Sequence, residues 1–283
     1  LTLLSACTTV RAQDYQEAPM AQITQTDIDT FQTDGVVLIR GLFADHVETL
    51  RAGVARNMNA PGPFASNNEK AGETGRFFDD YCNWQRIPEF QEVIETSQAA
   101  EIAAQLMQSQ TVQMFHDHVL VKEPGTSMAT PWHTDGPYYF VEGSQTISFW
   151  SPLDPVKDAT LRMVAGSHKW EKPVLPTRWV SEESFFPNED DYMPIPDPDA
   201  EGMRVLEWEM EPGDAVAFNY HILHGARGNT ATSRRRAFSL RLLGDDARYV
   251  ERPGRTSPPF PGHEMQEGQK LREDWFPMLW PRS

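Results

Sequence analysis

His133 and Asp135 set an imidazole and a carboxylate two residues apart in the stretch TPWHTDGPYYF, residues 130–140. On a strand, residues i and i+2 point the same way, so the two side chains can chelate one ion. A first-row metal that must activate O2 needs few protein ligands and adjacent open positions, and two His with one carboxylate on one face of the metal supply both. So short a motif also arises by chance, and its meaning depends on a third ligand. His116, His118, His168, His221 and His224 are the candidates. His221 and His224 end a strand in GDAVAFNYHILHG, where opposite parity lets only one of them face inward. His224 is favoured because Gly225 follows it and lets the backbone come close.

A second group needs explaining. In RRRAFSLRLL, residues 234–243, alternation puts Arg235, Ala237, Ser239 and Arg241 on one face and Phe238, Leu240 and Leu242 on the other. A guanidinium turned into a β-barrel is costly unless it meets an anion, and its shape suits bidentate pairing with a carboxylate. A bound dicarboxylate cosubstrate would satisfy it. The bland alternative is a solvated edge strand.

The elements that must position these residues fall into two parts. Residues 26–34 read as a helix with Thr26 as N-cap and Gly35 as terminator. A short buried strand follows at 36–41, and amphipathic helices are expected at 44–58 and 98–108. From residue 112 onward short strands alternate with Gly, Pro and Asp, at 112–122, 146–151, 161–165, 205–210, 214–220 and 235–243. With no βαβ rhythm, this suggests a mainly β sandwich or barrel flanked by helices. Residues 181–202 carry eight acidic residues, four prolines and no basic residue, as an irregular lid-like insert would. The Pro-rich extension from residue 251 is expected to pack over the barrel, so that residues 20–283 form one domain.

Taken in order, WHTD at 132–135, LHG at 223–225 and Arg235, eleven residues after His224, resemble the phytanoyl-CoA dioxygenase-like branch of the Fe(II)/2-oxoglutarate oxygenases. VLVKEPG (119–125), FWSPLD (149–154), VAGSHKW (164–170) and RRAFSLR (235–241) extend the resemblance over about residues 24–250. It implies a double-stranded β-helix (jelly roll, cupin-like) in which His133, Asp135 and His224 hold Fe(II) and Arg235 binds the distal carboxylate of 2-oxoglutarate. By the same resemblance His118 and Trp150 line the 2-oxoglutarate pocket. The implied reaction is hydroxylation of a C–H bond of a small or medium organic molecule by O2, with release of succinate and CO2. An intact Asp135 favours hydroxylation over halogenation, for which relatives carry a small residue there. Ala226 and Thr134 depart from the family's frequent Ser and Gln, and neither touches the metal set.

Other features are read more plainly. His118 in FHDH is expected to face inward with Asp117 turned away, and His168 to be a loop residue. Tyr138, Tyr139 and Phe140 serve equally as substrate wall or core. A net charge of -16 excludes nucleic acid and anionic membranes as natural partners. The acids of the insert, near aromatics, would suit a cationic substrate. Two cysteines, Cys7 and Cys82, build no disulfide framework, which fits a reducing, cytoplasmic compartment. LTLLSAC at the start resembles a lipoprotein cleavage site but lacks a charged flank, so residues 1–19 are read as a leader or extension. Two competing functions use the same His/Asp/His set: a zinc-dependent hydrolase with a metal-bound water, and a non-catalytic metal-binding β-barrel. Neither accounts for Arg235.

Overall fold

A computed structural model describes residues 21–282 apart from 70, 71, 73, 74, 158, 159, 179–182, 188, 189 and 230. The leader-like residues 1–19 lie outside the described residues. The chain opens with α1 (Gln25–Asp34) and β1 (Val36–Ile39), followed by α2 (Val47–Asn59). The N-cap of α1 is Thr24, not Thr26: Thr24 and Asp27 form a reciprocal capping box, which satisfies two otherwise orphaned N–H groups. Gly35 terminates it at φ +75°, a left-handed turn that glycine adopts without strain.

Next come β2 (Ser66–Glu69), β3 (Arg76–Tyr81), α3 (Pro88–Thr96) and α4 (Ala99–Met107). The barrel strands are β4 (Val112–Lys122), β5 (Thr130–His133), β6 (Val141–Glu142), β7 (Thr146–Pro152), β8 (Leu161–Val164), β9 (Val205–Leu206), β10 (Ala215–Phe218), β11 (His224–Ala226), β12 (Arg235–Leu243), β13 (Arg248–Tyr249) and β14 (Met278–Trp280). Two antiparallel sheets build the jelly roll. The large one runs β1-β10-β7-β12-β4-β3-β2, with β14 added to β4, and the small one runs β5-β11-β8-β9.

Burial follows from strand alternation. Phe238, Leu240 and Leu242 of β12 and Val119 and Val121 of β4 turn outward and pack under the helices with Leu50, Val54, Phe90, Ile102 and Leu106. The opposite face of the same strands turns toward the small sheet, where Leu120, Trp150, Met163, Phe218 and Ala237 form a second cluster. Phe115 is an extra residue in β4, because the partners of Arg241 and Leu242 are His116 and Met114. This bulge flips the parity, so that Met114 joins the helix-side core while Phe115 enters an aromatic cluster with Phe140, Tyr220 and Phe276.

Residues 205–210 form a ladder only at Val205–Leu206, with an isolated bridge from Met210 to Val156. The alternation persists, with Met210 buried and Glu207 and Glu209 less so. The extension from residue 251 packs on the barrel through buried Met265, Leu271 and Phe276 and the β14 pairing with β4. No described helix is long and apolar enough to cross a membrane.

Lys122 sits on the inner face of β4, fully buried, with its ammonium donating to the Arg227 carbonyl at 3.0 Å and lying over the Phe77 ring. Burial, then repulsion from Arg235, pushes its pKa down to about 6. Because the unfolded chain still binds that proton up to its ordinary 10.5, stability rises with pH between about 6 and 10. Lys122→Met is expected to raise the Tm at pH 6–7 by several degrees and to flatten the Tm profile across that window, as scanning calorimetry of both proteins would measure.

Candidate metal centre

His133 and His224 are direct cross-strand partners in the pairing of β5 with β11. This register brings the two rings to 4.2 Å between centroids. Close approach of the strands depends on Gly225: a Cβ there would lie 2.9 Å from the Thr130 carbonyl oxygen and 3.3 Å from that of Pro131. The glycine therefore serves the fit of β11 against β5, not an approach of backbone to ligand. Each imidazole is oriented from behind. His133 Nδ1 lies 2.8 Å from the Pro131 carbonyl and His224 Nδ1 2.9 Å from the Ile222 carbonyl. These contacts orient the two rings and turn each Nε2 toward Asp135.

Asp135 does not reach the site as residue i+2 of a strand. β5 ends at His133, and Asp135 stands in helical backbone (φ -72°, ψ -40°) at the head of a short 3-10 turn, Gly136–Tyr138. The turn swings its carboxylate across the strand end, where Oδ1 lies 3.6 Å from His133 Nε2 and 4.0 Å from His224 Nε2. Thr134 faces away, lining a separate polar hollow with Glu142, His168 and His221. His133, Asp135 and His224 are 4%, 5% and 4% exposed, and each offers a ligand atom within 4.8 Å of the others.

Electrostatics keep the set ready for a cation. Burial would raise the Asp135 carboxyl, but Arg241, the His133 hydrogen bond and His224 together hold it well below the usual carboxylate range. Burial, then repulsion from His133, lowers His224 to about 3, so it is neutral and a free donor at pH 7. Two imidazole nitrogens and one carboxylate oxygen gathered within 4.8 Å of one another suit a first-row divalent metal that keeps open positions.

The three residues line a cavity of about 350 Å³ between the sheets, together with His116, His118, Trp150, Arg235, Ser239 and Arg241. Arg235 is 4% exposed, its Cζ lies 5.4 Å from the Trp150 ring centroid, and its Nε and Nη1 have no hydrogen-bond acceptor. A buried guanidinium left open in this way is built for an anion that the protein does not itself supply. His118 faces the cavity with Nε2 3.6 Å from Asp79. Asp117 is turned away, accepting from the Asn83 and Trp84 amides. Of the remaining histidine candidates, His221 approaches Glu142 at 3.5 Å and His168 lines the far hollow, both away from the triad.

The aromatic triplet divides: Tyr138 and Tyr139 line the cavity, whereas Phe140 packs into the core beside Phe115 and Phe276. Of the described residues in 181–202, only Phe185 reaches the cavity, against Tyr138 at 5.1 Å between rings. None of the described acids of that stretch lines it, and Asp199 pairs outward with Arg162 at 2.6 Å. Arg178, stacked over Phe185, is a charged side chain that does line the cavity. From the sequence, Asp79 and Ser148 carry no role, His116 is a candidate metal ligand and Tyr139 a substrate wall or core residue; His116, Tyr139 and Asp79 line the cavity and Ser148 approaches Asp135. For Arg241 the alternation of β12 gave the direction but not the partner.

Fold and donor set define a class, jelly-roll proteins that hold one divalent metal between two imidazoles and a carboxylate. The chain belongs to the phytanoyl-CoA dioxygenase (PhyH) family, whose model matches residues 31–237 and whose members are Fe(II)- and 2-oxoglutarate-dependent enzymes that use O2. A probable phytanoyl-CoA dioxygenase of Caenorhabditis elegans is 30% identical over 148 residues, 50% of this chain and 46% of that protein, so the chain spans about half the length of this curated relative. Among solved structures, the α-ketoglutarate-dependent carbocyclase SnoK of nogalamycin biosynthesis superposes with a TM-score of 0.72 at 22% identity, covering 93% of this chain and 100% of its own. The epimerase SnoN, in complex with Fe3+, α-ketoglutarate and nogalamycin RO, gives 0.71 at 19% identity over 90% and 98%. EctD from S. alaskensis, with 2-oxoglutarate and 5-hydroxyectoine, gives 0.64 at 16% identity over 91% and 89%.

Proposed function

We propose that the protein is an Fe(II)- and 2-oxoglutarate-dependent dioxygenase that hydroxylates a C–H bond of a small or medium organic molecule, releasing succinate and CO2. One observation carries the reading: two imidazoles and a carboxylate with ligand atoms within 4.8 Å of one another share a cavity with a buried guanidinium whose Nε and Nη1 meet no acceptor among the described residues. His133, Asp135 and His224 hold the iron, and Arg235 takes the distal carboxylate of 2-oxoglutarate with Trp150 beneath it. His118 lines the same pocket. Bound iron with its 2-oxo acid supplies the reducing chemistry that activates O2 and oxidises the substrate.

The chain's share is orientation and exclusion of water. Nδ1 contacts to Pro131 and Ile222 fix the two imidazoles, so no ring must reorient when ligands enter. Arg235 anchors the cosubstrate at the inner end and leaves the mouth to substrate. There Tyr138, Tyr139 and Phe185, with the stacked pair Phe64 and Tyr81 at 4.9 Å, offer flat apolar walls to a carbon skeleton. A lid role for the stretch around Phe185 is supported by its ring contact with Tyr138, whose hydroxyl donates to the Thr177 carbonyl at 2.6 Å. Small organic molecules bound in the SnoN and EctD structures support this choice of class, and a reducing cytoplasm suits the free thiol of Cys82.

Anaerobic addition of Fe(II) and 2-oxoglutarate should give a weak visible charge-transfer band, and admission of air should release succinate. Tight zinc binding with neither band nor succinate would replace this reading with that of a zinc hydrolase.

A further inference from the structure

Arg241 carries a charge into the cavity that the proposed function leaves without a task. It is 6% exposed and faces inward from β12, six residues beyond Arg235. Its Nε donates to the Tyr139 hydroxyl at 2.7 Å, its Nη2 lies 3.5 Å from Oδ2 of Asp135, and its Nη1 has no acceptor. Ser148 Oγ approaches the same Oδ2 at 3.5 Å. The Asp135 carboxylate is thus divided: Oδ1 faces the two imidazole Nε2 atoms, and Oδ2 faces Arg241 and Ser148.

We infer that Arg241 is a positioning residue that engages Oδ2 of Asp135, so that only Oδ1 is presented to the metal. Resting on the metal-centre reading above, this assigns the guanidinium a purpose that packing alone does not require. A carboxylate is free to bind a metal through one oxygen or two. Bidentate binding by Asp135 would take one of the three positions that a 2-His-1-carboxylate site leaves open, and a bidentate 2-oxo acid with O2 needs all three. Tyr139 aims the guanidinium, and Arg241 in turn pins the carboxylate. The same cation also opposes metal binding by its charge, so it costs metal affinity while preserving vacancies.

That opposition separates positioning from ordinary structural support. In Arg241→Met, Mn(II) affinity by calorimetry should stay level or tighten. The inner-sphere water count on bound Mn(II), read from proton relaxation without cosubstrate, should fall from about three to about two, and relaxivity by about a third. Binding of 2-oxoglutarate to the Mn(II) protein should weaken at least about tenfold, and Arg241→Lys, which keeps the charge but not the fork, should fall between. Tyr139→Phe keeps the guanidinium but removes the hydroxyl that meets both Arg241 and Asp135, so it should shift the water count in the same direction by less. Should Arg241→Met fail to fold, Arg241→Lys and Tyr139→Phe carry the test alone. Unchanged relaxivity with unchanged 2-oxoglutarate binding, or loss of Mn(II) binding in a folded variant, overturns the assignment. Wild-type protein that binds no Mn(II) overturns the metal-centre reading itself, which distinguishes the two failures.

Discussion

His224→Ala is expected to weaken Fe(II) binding by more than about 100-fold and to abolish succinate formation at micromolar iron, while the protein stays folded. Groups that merely orient a metal ligand are worth about 10- to 100-fold in affinity, so removing a ligand itself costs more. The loss is specific because His224 and His133 are cross-strand partners. Without one ring, the remaining pair, His133 and Asp135, spans a single strand end and the adjoining turn. Stability changes little by comparison. The substitution removes a buried ring that packs against Phe218 at 4.8 Å and leaves the Ile222 carbonyl without its partner, a cost of about 1–3 kcal/mol. Calorimetric titration with Fe(II) or Co(II), alongside circular dichroism, separates the two effects. Metal affinity within threefold of wild type would remove His224 from the ligand set.

Arg235→Ala should raise the Kd for 2-oxoglutarate by about 100- to 1,000-fold and leave metal affinity within about threefold. A bidentate guanidinium–carboxylate pair contributes two charge-assisted hydrogen bonds, each at the lower end of about 1.5–3 kcal/mol, and a total of about 3–4 kcal/mol corresponds to that range. The apo protein tells the complementary half. A buried guanidinium whose Nε and Nη1 meet no acceptor is a cost to the fold, and burial draws its pKa down to about 10. Arg235→Ala should therefore raise the apo Tm, whereas added 2-oxoglutarate should raise the Tm of wild type and not of the variant. Thermal shifts with and without the cosubstrate measure both arms. Equal loss of metal and 2-oxoglutarate binding would contradict the role, since Arg235 does not touch the triad.

The inward face of β12 was legible before any coordinates, because alternation with Phe238, Leu240 and Leu242 leaves Arg235, Ser239 and Arg241 no other direction. Strands β4 and β12 were read within a residue of their ends, since long alternating or apolar runs bounded by turn residues admit little else. Among the elements that escaped are β2, β3 and α3. β2 and β3 carry Asn, Asp and Glu at positions where a propensity reading expects loops, and α3 is short and begins at a proline. They form because pairing with β4 and packing beneath Phe90 override local preference.

At the candidate site, residue types and order in the chain named His133, Asp135, His224 and Arg235. Such information is one-dimensional and survives in sequence. Which atoms meet was decided only in three dimensions. The strand ends at His133, so a turn rather than strand parity delivers Asp135. Gly225 is spent on the approach of two strands, and the acids of residues 181–202 that are described turn away from the cavity. The partnership of Arg241 with Asp135 spans 106 residues of chain, and no local pattern encodes a contact that exists only when β12 and the turn after β5 close on the same cavity.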